Sequence, residues 1–274
     1  MEWLANLSWR VVVPVVALFG VIRLVLGRYR SRPARVVAET AESLAVALAI
    51  VYLVIKPFLV QAFFIPTGSM IPTLLERDHI MVNKLVYRIG EPRLGDIVVF
   101  EPPTEALQGR KQVPFIKRVI GLPGDTLEVR PGYVTIGPAQ YRHFDLRRYL
   151  RSCLPRYTSL DDVEVRLRSD GVYLEGQKLT RRQVAIAVGD PDAPVRIHPG
   201  YVLRNGKPVS EPYLAEDPDE PMGPTKVPPR ELFVMGDNRN RSHDSRAWGF
   251  LDRKRVLGRA MFIFWPARRI GWLR

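Results

Sequence analysis

The sequence predicts a mainly β fold: a β-rich domain carrying an inserted small β subdomain, preceded by one or two transmembrane helices. Three observations carry that expectation. Two apolar stretches crowd the first 55 residues. From Ile80 onward, apolar residues recur mostly with period two. Short glycine-bounded runs then repeat through the middle of the chain. At 274 residues with 46% hydrophobic content, the chain can bury one sizeable core and still supply an anchor or an insertion.

The first apolar stretch, Val11 to Leu26, is interrupted by Arg23 and preceded by Trp3 and Trp9, where interfacial aromatics are expected. The second runs from Val37 to Ile55, carries Glu39 and Glu42 near its start, and is closed by Lys56-Pro57. From there Lys56 can snorkel to an interface. Arg28, Arg30, Arg32 and Arg35 lie in and around the connection, which the positive-inside tendency places in the cytoplasm with both termini outside. The expected segments are therefore 1–36 for the first apolar stretch and its basic loop, 37–60 for a transmembrane helix, and 61–274 for an extracytoplasmic domain. Other readings stay open. The first stretch reads alternatively as a removable signal sequence, opposed by Arg23 and by the lack of a small-x-small site after it. Either stretch reads alternatively as a buried amphipathic helix, the first more so because its unbroken core is shorter than the ~20 residues of a span.

Past the anchor, Ile80 to Tyr87, Gly95 to Pro102 and Val113 to Ile120 read as strands. Gly132 to Gly137, Gly171 to Gly176 and Gly200 to Gly206 each resemble a short hairpin strand. They predict an insertion at about 130–230 with its own sheet and a short helix near Leu146 to Leu154. Pro212 to Pro229, with Pro218, Pro221, Pro224 and Pro228 between them, reads as an exposed loop returning to the main domain.

The formal charge of +13 is spread over the anchor flank, the insertion and the C-terminus rather than along one stripe, so no nucleic-acid partner is expected. The anionic headgroups of a phospholipid bilayer account for the surplus beside the apolar stretches. Cys153 is the only cysteine, which excludes an internal disulfide, and its arginine-rich surroundings offer no base for a catalytic thiol. His79, His143, His198 and His243 are scattered without ligand spacing, so no metal site is expected. Gly121-Leu122-Pro123-Gly124-Asp125 lacks the Gly-Lys-Ser/Thr of a phosphate loop, which argues against nucleotide binding.

Chemistry is expected elsewhere. In Thr67-Gly68-Ser69 the glycine permits a tight turn that presents the serine, and a flanking hydroxyl with a backbone N–H can meet a developing oxyanion. A serine hydroxyl needs a base, and a lysine serves only when an apolar environment keeps it neutral. Strand alternation puts Val113, Phe115, Lys117 and Val119 on one face and turns Arg118 to the other. The alternative is a lysine snorkelling from a strand edge. A third constellation, Gly236 to Arg246, is a polar run in which Ser242, His243 and Asp244 mimic a triad by name only, because adjacent side chains diverge. Pairing of Asp244 with Arg246, and a hydrogen bond from Ser242 that orients the lysine, are the uses expected of it.

Five segments occur in order: Ile65 to Leu74, Gly95 to Phe100, Lys117 to Asp125, Gly236 to Arg246, and Gly258 to Phe262. With them, from the second apolar stretch through most of the domain, the chain resembles bacterial type I signal peptidase, the membrane-bound leader peptidase. The resemblance implies a Ser-Lys endopeptidase at the extracytoplasmic face of the bacterial inner membrane that cuts signal peptides from exported preproteins without a cofactor. By the same resemblance Ser69 is the nucleophile, Lys117 the general base and Ser242 the residue that orients it. Asp244 and Arg246 give structural support, Thr67 joins the Ser69 N–H in the oxyanion hole, and Ile65, Pro66 and Ile116 line pockets for small side chains. Asn240 and Arg241 depart from the family's usual Asp-Asn at those positions, and the stretch bearing Arg23 matches no family motif. A silent membrane-tethered scaffold and a self-cleaving regulator of related fold are the rival readings; intact Ser69 and Lys117 oppose the first, and the lack of a preceding helix-turn-helix opposes the second.

Overall fold

The computed structural model describes residues 9–29, 31–51, 60–107, 109, 112–151 and 163–273. Cys153, Trp3, Arg30 and the Lys56-Pro57 step lie outside them. The chain divides into two compact units: Met1–Phe64, His79–Glu91 and Gly258–Trp272 in one, and Ile65–Asp78, Pro92–Leu257 and Leu273–Arg274 in the other.

In the first unit both apolar stretches are helical, as Trp9–Leu26 and Arg32–Ile50. The second helix begins earlier than expected because Ser31, in extended conformation, and a proline in the first turn form a start signal. Arg23, the charge that interrupts the first stretch, is paired with Glu42 of the second helix at 2.6 Å. Ala38 and Ala41 share one face of the second helix and are buried, so small side chains allow close approach. Among the described residues no helix is long and apolar enough to cross a membrane. The apolar run of the second stretch continues to Ile55, and residues 52–59 lie outside those described.

Val60–Phe64 pairs antiparallel with His79–Asn83, which pairs in turn with Val256–Trp265, and Gly271–Trp272 folds back onto the latter. The strand expected to reach Tyr87 stops at Asn83. Its Oδ1 accepts the N–H groups of Leu85 at 2.9 Å and Val86 at 3.1 Å, an Asx turn that diverts the chain into the helical turn Val86–Ile89.

The second unit holds an antiparallel run of strands in the order Ile97–Phe100, Phe115–Gly121, Glu231–Met235, Leu251–Asp252. Every residue from Ile116 to Gly121 is buried, so this strand has no solvent face. A second sheet orders Lys207–Pro208, Tyr201–Arg204, Thr126–Arg130 and Met222–Lys226. Leu127, Val129, Val202 and Phe233 form the core beside it.

The insertion has its own core, in which Val134, Leu146, Leu167, Val172 and Val184 come together between two three-stranded sheets and two helices. The helix expected near Leu146 is His143–Leu150, begun where Asp145 accepts the Arg142 N–H at 2.9 Å. Period-two reading missed the helix Arg181–Val188. Its signal was present as the capping box Thr180-x-x-Gln183 and as Gly189, which ends the helix at φ 93°. The segment from Pro212 to Pro229 is not simply an exposed loop. Ala215 and Glu216 are buried, the Pro218 carbonyl accepts the Gly132 N–H at 2.9 Å, and Met222–Lys226 is a strand. The register shift between Met222 and Thr225 accommodates Pro224, which has no N–H to give to a ladder.

Candidate active site

The site lies within the second unit and begins with a loop closed at its base. Ile65 N–H donates to Asp78 O and Arg77 N–H to Ile65 O, both at 2.9 Å, while buried Asp78 accepts the Leu75 N–H at 2.8 Å. Within this loop Gly68–Met70 forms one 3₁₀ turn, entered from Thr67 in extended conformation. Met70 is wholly buried and anchors the turn, which leaves Ser69 at 8% exposure. Thr67 is exposed and its side chain does not cap the turn, so its hydroxyl is available. The Ser69 N–H falls in the first turn, where backbone donors have no partner inside the helix.

Lys117 is in the middle of the buried strand, at 5% exposure. Its Nζ is 2.8 Å from Ser69 Oγ, 3.1 Å from Ile116 O and 5.7 Å from the centroid of the Phe115 ring. Burial lowers its pKa to about 8; Asp244 and Asp237 pull it upward, and Arg246 pushes it down. The lysine is therefore neutral over an accessible pH range while touching a hydroxyl.

The loop after Glu231–Met235 grips the serine turn from behind. Asn238 donates its N–H to Ser69 O at 3.1 Å and its amide to Gly68 O at 3.0 Å. Gly236 leaves no room for a side chain, since a Cβ there would lie 2.3 Å from Ser242 Oγ and 2.4 Å from Ser69 O. Asp244 accepts the Gly236 N–H at 3.0 Å and pairs with Arg246 through two bonds of 2.9 Å. Burial opposes its ionisation, but the Arg246 guanidinium outweighs that and holds the carboxyl below its ordinary range. Arg246 also donates to Arg239 O. His243 Nε2 is buried without a hydrogen-bond partner, so no line from serine through imidazole to carboxylate exists.

Of the residues singled out from sequence, Ser69 with Lys117 and Asp244 with Arg246 are in direct contact. Ser242 Oγ is buried and makes no hydrogen bond to Lys117; it lies instead toward the Asp244 carboxylate, which it helps to keep ionised. Ile116 adjoins Lys117 in sequence and Ile65 lies four residues before Ser69; both are buried, whereas Pro66 is exposed. Arg118 departs from expectation in a different way. It does face away from Lys117, but into protein: its Nε and Nη2 meet Asp237 at 2.8 and 2.7 Å, Nη1 reaches Gly95 O at 2.9 Å, and Thr73 Oγ1 donates to Asp237 Oδ2 at 2.5 Å. Arg239, likewise buried, is bound at both ends by Glu211. The sequence held one signal for the first pair: an arginine in a run apolar on both sides, as in a strand covered on both faces. Among the described residues no group of three or more His, Cys, Asp or Glu side chains is arranged to hold a metal ion.

Comparison with known proteins bears on this arrangement. The model of the family described as signal peptidase, peptidase S26, matches residues 37–164 and 161–265. A signal peptidase I of Leptolyngbya laminosa is 34% identical over 224 residues, 80% of this chain and 75% of that protein. A probable signal peptidase I-2 of Synechocystis is 32% identical over 255 residues, 93% of this chain and 85% of its own. A signal peptidase I of Aquifex aeolicus is 31% identical, covering 84% of each chain.

Proposed function

The chain belongs to the signal peptidase family, peptidase S26, and from that premise we propose that it is a membrane-bound serine endopeptidase that removes N-terminal signal peptides from exported preproteins. The observation that carries the mechanism is the 2.8 Å approach of Lys117 Nζ to Ser69 Oγ inside a buried, weakly basic setting. Neutral Lys117 accepts the hydroxyl proton as Ser69 Oγ bonds to the scissile carbonyl carbon. The resulting oxyanion is met by the Ser69 N–H and the Thr67 hydroxyl. Collapse of the tetrahedral adduct breaks the C–N bond, and Lys117 returns the proton to the leaving amine, the new N-terminus of the mature protein. Water, deprotonated by Lys117, then hydrolyses the ester between Ser69 and the signal peptide.

In this reading Asp244 and Arg246 fix the loop that backs the serine, and Ser242 steadies the lysine during turnover. Ile65, Pro66 and Ile116 bound shallow subsites for small side chains one and three positions before the cut. The N-terminal helices hold the enzyme in the bilayer with residues beyond about 60 on the extracytoplasmic face; the support is the arginine-rich connection between two apolar stretches. Incubation of the purified protein with a labelled preprotein, followed by sequencing of the new N-terminus, tests the activity. Uncut preprotein, or cleavage by Ser69→Ala protein, refutes it. A Gln177→Cys substitution in the exposed short strand Gln177–Lys178 of the insertion, in a Cys153→Ser background, tests the topology through labelling of spheroplasts by an impermeant maleimide.

A further inference from the structure

We propose that Glu211 and Tyr213, in the segment by which the chain leaves the insertion, are positioning residues for Lys117: they lock two buried guanidinium groups behind the lysine strand and keep that flank dry. The proposal rests on the reading of Lys117 as the base.

Three arginine–carboxylate pairs stand around the reacting residues: Arg118 with Asp237, Arg246 with Asp244, and Arg239 with Glu211. Two of the carboxylates come from the loop that backs the serine. Glu211 comes from elsewhere in the chain. Its carboxylate, only 4% exposed, takes both ends of Arg239 at 2.9 and 2.5 Å, and the same guanidinium donates through Nε to Gly236 O at 3.0 Å. Glu211 thus reaches the glycine that lies against Ser69 through a single intermediary. Tyr213 donates its hydroxyl to Glu211 Oε1 at 2.9 Å and lays its ring 3.9 Å from Arg118 Cζ. Asp237, Gly95 O and Thr73 occupy the edges of that guanidinium, so the tyrosine ring covers a face.

A buried ion pair holds only if its geometry is good and water stays out. The charged groups that act on Lys117 are Asp244, Asp237 and Arg246, with Ser69 and the Phe115 ring in contact with it. Without the Tyr213 ring, one face of the Arg118 guanidinium lies open to water, which screens its hold on the Asp237 charge and wets that flank. Both changes favour protonated lysine. Charge removal at Glu211 strands the Arg239 guanidinium and loosens Gly236.

The experiment follows Lys117 directly, by 13C NMR of the full chain carrying 13Cε-labelled lysine, beside the pH profile of kcat/KM on a signal-peptide substrate. In Tyr213→Leu protein both the lysine titration and the ascending limb should move upward by about half a unit or more, and the rate near neutral pH should fall about threefold and recover in alkali. In Glu211→Gln protein, where the unbalanced Arg239 charge disfavours a second cation, both should move downward. Tyr213→Phe, which keeps the stack, should leave both in place. Should Tyr213→Leu fail to fold, Glu211→Gln, nearly isosteric, decides alone. An unmoved titration, with activity reduced by the same factor at every pH, overturns the proposal in favour of a merely structural role. A titration that moves while the limb stays put upholds the positioning role and removes Lys117 as the base.

Discussion

Lys117 Nζ and Ser69 Oγ are 2.8 Å apart although 48 residues separate them in sequence. The lysine is delivered by a strand buried on both faces, and the serine by a 3₁₀ turn held through the backbone by Asn238. Contact and burial act together. The strand that brings the amine to the hydroxyl also strips water from it, which makes a lysine usable as a base.

Replacement of either member of the pair should therefore stop cleavage while the fold persists. Ser69→Ala removes the nucleophile, and Lys117→Ala should lower kcat by about 10²–10⁴-fold, the usual worth of a positioned base. Lys117→Arg should do no better, because a guanidinium stays protonated and cannot take the proton. Rates from single-turnover assays on variants with wild-type circular dichroism check this. Substantial turnover by Lys117→Arg would sink the mechanism.

Gly236→Ala tests the contact behind the serine. A methyl there would sit 2.4 Å from Ser69 O and 2.3 Å from Ser242 Oγ, so the serine turn or the serine hydroxyl must shift. A displacement of about 1 Å at a reacting group can cost about a hundredfold in rate. We expect a loss of that order in kcat with little change in KM, and unimpaired kcat would mean that the turn yields without consequence.

The mainly β class was legible, through period-two patterning at Ile80, Ile97 and Phe115 and bounding glycines around Tyr133, Gly171 and Tyr201, whereas strands such as Val60–Phe64, Thr126–Arg130, Glu231–Met235 and Val256–Trp265 were not singled out. The family was legible in five ordered segments. What escaped beyond these strands depends on distant partners. Arg118 reads as facing away from the lysine, and nothing local says that Asp237, 119 residues on, waits on that side. The segment from Pro212 to Pro229 is proline-rich and reads as loop, yet Glu211 and Ala215 on either side of its start are engaged with Arg239 and Arg168. The helix Arg181–Val188 was hidden by the β patterning around it, although its capping box was in plain view.

The Arg118–Asp237 pair should be costly to break and tolerable to replace. Asp237→Asn leaves a buried guanidinium without its counter-charge and should destabilise the protein by about 3–5 kcal/mol. Replacement of both partners, as in Arg118→Met with Asp237→Leu, removes the stranded charge and should cost less than the single change. Urea denaturation of the single and double variants measures the difference. A double variant no more stable than Asp237→Asn would show that the pair's shape, and not its charge balance, supports this side of the site.

The pH dependence carries two linked expectations from one residue. Activity requires neutral Lys117, so kcat should rise with pH through about 8 and level off above it, well below the range of an ordinary lysine. Stability follows the same titration. With a folded pKa of about 8 against an ordinary 10.5, the native state binds fewer protons than the unfolded state between those values. Unfolding free energy therefore rises with pH across that window, and below it the full penalty for a buried ammonium is present. Lys117→Met, which removes the charge at similar volume, should then stabilise the protein at neutral pH by up to about 3 kcal/mol, an advantage that shrinks toward zero as pH approaches 10.5. Chemical denaturation of both proteins across this range checks the sign. If Lys117→Met were no more stable at neutral pH, or its advantage grew with pH, then burial does not hold Lys117 in its neutral form and the proposed base loses its physical footing.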